Sequence, residues 1–147
     1  MKFTTLAGVA IGLGIGVAMV YYFTREDSDI ETLSLDMVNR NEIYKWFKNN
    51  EELLKTHADH VFVLTDASIL DNSIKTSKEV KELFNLNDGE NIMVQALYKQ
   101  SDSSISKCRI IKYRALAEDL SRLLNKTNFF DKKILIVDTG SDSVQEI

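Results

Sequence analysis

The chain has 147 residues, 44% hydrophobic and 27% charged, with 18 basic against 22 acidic side chains and a formal net charge of −4. That apolar content supports a packed core, and the acidic balance excludes a general nucleic-acid binder, which would be strongly basic. A single cysteine, Cys108, excludes an internal disulfide and a CxxC redox pair.

Residues 6–23 carry no charge, and Phe3, Thr4 and Thr5 lengthen the uncharged run further. At 1.5 Å per residue such a run is long enough to cross a hydrocarbon core of about 30 Å. Tyr21, Tyr22 and Phe23 close it as an interfacial aromatic belt, and Arg25, Glu26, Asp27 and Asp29 mark the return to water. Residues 1–23 are therefore expected to form a single transmembrane helix. Gly16-Val17-Ala18 also offers a small-x-small signal-peptide cleavage site, but the apolar run continues past it through Phe23. Gly8, Gly12 and Gly16 repeat at four-residue spacing, which lays them on one helix face as a bare groove. Such a groove points to association with a second copy or with another membrane helix. Lys2 draws the amino terminus inward, whereas Arg25, Arg40 and Lys45 draw the other flank inward. By a small margin this places the domain on the cytoplasmic side of a single-pass membrane protein.

The remainder divides into an acidic linker (24–31), one α/β domain (32–139) and a polar tail (140–147). Leu33, Leu35 and Met37 alternate with polar residues as in a strand. Asn39 or Asn41 caps a helix reaching about Thr56, with Ile43, Trp46, Phe47, Asn50, Leu53 and Leu54 on its core-facing stripe. Residues 60–65 (HVFVLT) form a short strand of the kind buried on both faces. Thr76 to Glu79 reads as a capping box opening a second helix that runs past Phe84. Asn87-Asp88-Gly89 is a turn. Residues 91–99 and 107–114 read as a hairpin, with a bulge at Ile110-Ile111 to restore alternation. Cys108 on its second strand reads as a small buried hydrophobe. Residues 115–126 read as a helix and 132–138 as a last buried strand. The order β-α-β-α-β-β-α-β predicts a mixed sheet with helices on its faces. Up to its last strand this order is similar to that of the thioredoxin fold, a likeness of fold alone, since that family's CxxC and cis-proline are missing.

Candidate chemistry is sparse. Gly89 and Gly140, the only glycines after residue 16, cannot build a phosphate loop or a dinucleotide fingerprint. Residues 135–141 (LIVDTGS) resemble the Asp-Thr-Gly signature of aspartic proteases, but that family needs a β-rich domain after the motif. Residues 138–140 are therefore read as a strand ending in a turn. His57 and His60 have HxxH spacing without a third fixed ligand. Asp66 and Asp138 each end an apolar strand. If those strands are parallel neighbours, both carboxylates lie at the carboxyl edge of the sheet, where α/β folds place ligands. Lys99, Lys107, Arg109, Lys112 and Arg114 make the hairpin the one basic concentration of the domain. With the expected bulge, the last four share one outward face suited to anionic lipid or an acidic protein. No catalytic residue, metal site or cofactor is expected. The sequence reads as a membrane-anchored, non-enzymatic interaction or adaptor domain, such as a subunit of a membrane complex. The alternative is a ligand-binding or enzymatic domain working around Asp66 and Asp138.

Overall fold

The computed structural model describes residues 2–5, 18–19, 21–22, 30–56, 59–66, 82 and 85–138. The groove glycines Gly8, Gly12 and Gly16, most of the expected linker, the capping box at Thr76, His57 and the tail lie outside the described residues.

The elements in chain order are β1 (Lys2–Thr5), β2 (Glu31–Val38), α1 (Arg40–Asn49), α2 (Glu52–Thr56), β3 (His60–Asp66), β4 (Asn91–Lys99), β5 (Ser104–Leu116), α3 (Glu118–Lys126), α4 (Phe129–Lys132) and β6 (Ile134–Asp138). They build one mixed α/β sheet in the order β1-β6-β3-β4-β5-β2. Only β2 and β5 pair in parallel; every other neighbouring pair is antiparallel. The thioredoxin-like order does not carry over into topology. A β-α-β unit of that kind sets its two strands side by side in parallel, whereas here β5 and β4 separate β2 from β3.

Asn39 opens α1 by accepting the amide of Glu42 on its side chain at 2.8 Å. One apolar stripe then faces the sheet, burying Ile43, Trp46 and Phe47. The expected single helix to Thr56 is broken at Asn50. Its side-chain amide donates to the Trp46 carbonyl at 2.7 Å, closing α1 before α2 begins. In α3, Leu120, Leu123 and Leu124 face the sheet in the same way. These helices, with Phe129 of α4, cover one sheet face over Phe62, Leu64, Met93, Leu97, Ile111, Tyr113, Leu135 and Val137. At its centre the rings of Trp46, Phe47 and Phe62 meet at centroid distances of 5.2 to 6.1 Å.

The opposite sheet face is also apolar. Val63, Ile92, Val94, Ala96, Tyr98, Ile105, Cys108, Ile110 and Ile134 form a second buried cluster there. This explains why β3 and β4 read as continuous apolar runs. It also corrects the bulge. Ile110 and Ile111 serve opposite cores in ordinary alternation, and the register shifts between Leu97 and Tyr98, whose partners are Lys107 and Ile105. Ser106 is the extra residue. The helix expected from residue 115 starts at Glu118. Before it, β5 runs on to Leu116 because Met37 and Val38 of β2 pair with Ala115 and Leu116. Met37, two residues on from Leu35, is 57% exposed, and Val38 takes the buried place at the end of the strand.

Candidate functional site

The five basic residues of the hairpin do not form one surface. With the bulge at Ser106, Lys107 and Arg109 lie on the face covered by α1, and Lys112 and Arg114 on the other. Each is engaged within the fold. Lys99 pairs with Asp102 at 3.6 Å, and Lys107 donates to the Asn50 side chain at 2.6 Å. Lys112 and Arg114 donate to the carbonyls of Asn85 and Asp88 at 3.4 and 3.0 Å, holding the turn before β4 against the sheet. Gly89 in that turn has φ +82°, and a Cβ there would stand 3.0 Å from Arg114 Nη1.

Arg109 is buried. Its Nε donates to Gln95 Oε1 at 2.8 Å, and its Nη2 donates to the same oxygen. Nη1 reaches Glu42 Oε1 and Nη2 the Glu42 carbonyl, both at 3.2 Å. Gln95 is fully buried and spends its amide on the Ile43 carbonyl at 2.9 Å. A cation out of water needs several fixed acceptors, and β4 and α1 supply them. The cluster therefore clamps α1 to the sheet and offers no charge to a partner. Sequence reasoning placed Arg109 on a surface and passed over Gln95. The available signal was the one polar residue inside the run Ile92 to Tyr98, opposite a basic residue flanked by Cys108 and Ile110.

The sheet does not bring Asp66 and Asp138 together. β3 and β6 pair antiparallel, with Thr65 opposite Ile134 and Phe62 opposite Val137. Asp66 ends β3 beside the start of β6, and Asp138 falls beside the start of β3, roughly 16 Å away along the strands. The shared ligand edge required parallel neighbours and does not exist. Among the described residues no group of three metal-ligating side chains forms either.

The remaining feature is the second sheet face and what lies on it. Ala18, Met19, Tyr21 and Tyr22 are helical. Ala18 and Met19 are buried in the second cluster, and Tyr22 packs against it, while Tyr21 is 67% exposed. Ala18, Tyr21 and Tyr22, with Asp102 and Ser103 of the β4–β5 turn and Ser104 and Ile105 of β5, line a cavity of about 260 Å³. A more open cavity of about 450 Å³ lies between the starts of α1 and α3, lined by Arg40, Asn41, Tyr44 and Asp119.

Cys108 sits in the second cluster as expected, 3% exposed. Burial pushes its thiol up to about 12, against a weaker lowering contact from Tyr22. The folded state thus keeps a proton that the unfolded chain releases near pH 8.5–9. Its contribution to stability is complete below that pH and declines as pH rises from about 9 toward 12. Burial also raises Tyr113, with the Asp66 carboxylate adding to the effect, so both groups act in the same direction. A pH series of denaturant midpoints should fall over this interval. Cys108→Ala should lessen the fall, and an equal fall in the variant would refute the assignment to Cys108.

Compared with models of known protein families, with curated proteins and with solved structures, the chain matches none.

Proposed function

We propose that the chain is a membrane-anchored interaction domain without catalytic activity of its own. Residues 6–23 enter the bilayer, and the mixed-sheet domain is held beside them for a protein partner. The observation that carries this reading is the run of 18 uncharged residues closed by three aromatic residues and an abrupt charged stretch. Among the described residues no helix is long and apolar enough to cross a membrane, and residues 6–17 lie outside them. The geometry supports the interaction reading over the ligand-binding alternative on one point: the antiparallel pairing of β3 and β6 separates the two aspartates on which that alternative rested.

The partner is taken to be another membrane protein or a second copy, gathered through the groove of Gly8, Gly12 and Gly16. Extracted in mild detergent, the full-length protein is expected to run as a discrete assembly. Gly12→Leu fills the middle of the groove and is expected to break that assembly while leaving the domain folded, as judged by its thermal transition. A monomer, or an assembly unchanged by Gly12→Leu, would contradict the groove's role. Proteins that co-purify with the wild type and not with the variant would identify the partner.

A further inference from the structure

Both described ends of the apolar segment rest on the same domain. On its amino-terminal side, β1 adds to the sheet by pairing antiparallel with β6, with Lys2 opposite Asp138 and Thr5 opposite Leu135. On its carboxyl-terminal side, Ala18 and Met19 are 4% and 0% exposed in the cluster on the second sheet face. A helix that crosses a bilayer holds its two ends about 30 Å apart on opposite sides of the hydrocarbon. Residues 2–5 cannot then pair with β6 while residues 18–19 lie on the same sheet. The arrangement seen here and a membrane-spanning arrangement exclude one another.

We propose that the amino-terminal region exchanges between two placements, one in which β1 pairs with β6 and Ala18 and Met19 rest on the second sheet face, and one in which residues 6–23 are inserted in the bilayer. This rests on the membrane-anchored reading above. In water Ala18 and Met19 pack on the apolar face that carries Val63, Ile92, Val94, Ala96 and Ile110. In the bilayer the same residues meet hydrocarbon, β1 leaves the sheet, and β6 becomes its edge strand. The docked placement thus keeps Ala18 and Met19 out of water before the segment reaches a membrane.

The register supplies a lock. Thr4 is the cross-strand partner of Ile136, and directly opposed residues on antiparallel strands lie within the Cα separation a disulfide spans. The chain is made as Thr4→Cys with Ile136→Cys in a Cys108→Ala background, by cell-free synthesis without detergent. It is then oxidised and mixed with phosphatidylcholine vesicles for flotation. The oxidised protein is expected to stay with the soluble fraction and to float after reduction. Equal flotation before and after reduction would overturn the exchange while leaving the membrane reading intact. A reduced protein that never floats would overturn both. Failure of the disulfide to form in water would remove the docked placement. Hydrogen exchange on the wild type gives a second readout that needs no substitution. Amides of Ile134–Asp138 that donate to β1 should be protected in water and exchange faster once vesicles are added, and unchanged protection would count against the exchange.

Discussion

Gln95→Leu is expected to destabilise the domain by about 3 kcal/mol, although it replaces a polar core residue with an apolar one of similar size. Gln95 is fully buried, and its carbonyl oxygen accepts two donors of the Arg109 guanidinium. Leucine removes that acceptor and leaves a cation that is 6% exposed with the Glu42 carboxylate and carbonyl alone. The Ile43 carbonyl also loses its donor from the Gln95 amide. The cost is that of an under-satisfied buried charge, which exceeds the net value of the hydrogen bonds themselves. The double variant Gln95→Leu with Arg109→Met removes the charge as well, so it should be more stable than Gln95→Leu alone. Denaturant midpoints of the two single variants and the double variant test this. Strict additivity would show that the pair is not coupled.

Phe62→Ala is expected to cost about 3–5 kcal/mol, a large share of the roughly 5–15 kcal/mol that holds a small domain together. Phe62 is fully buried at the centre of the helix-covered core, with ring contacts to Trp46 and Phe47 at 6.1 and 5.2 Å. It also lies on β3 between Leu97 of β4 and Val137 of β6, so its removal leaves a void bordered by three strands and α1. That void cannot close without moving several elements, which places the cost toward the upper end of core truncations. Met37→Ala serves as the comparison. Met37 is 57% exposed on the edge strand β2, and its loss should shift the midpoint by about 0.5 kcal/mol or less. Similar losses for both variants would contradict the assignment of the core.

The elements that sequence alone revealed are those whose signal is local. Residues 91–99 read as a strand at the boundaries seen, because burial on both faces leaves a run that is apolar except for Gln95 and has polar ends. The cap at Asn39 and the spacing of Ile43, Trp46 and Phe47 likewise announce α1. What remained hidden depends on pairing between distant segments. Nothing within residues 115–117 says that β5 continues; its parallel partner β2 decides that. The bulge does leave a local mark, because Ser106 and Lys107 are two consecutive exposed polar residues between buried Ile105 and Cys108. The Asp66–Asp138 edge failed because strand direction belongs to the topology and not to either strand. The basic hairpin shows the limit of reading charge as surface. Lys107, Lys112 and Arg114 tie segments together, and Arg109 is in the core. Composition showed where the charges are, while their roles depend on which carbonyls the fold brings within reach.

The most direct test of the membrane-anchored reading is alkaline carbonate extraction of membranes from cells making the full-length chain. Peripheral and lumenal proteins are released by this treatment, while a segment inserted across the hydrocarbon is retained. The protein is expected to remain in the membrane pellet. Complete release into the supernatant would contradict insertion.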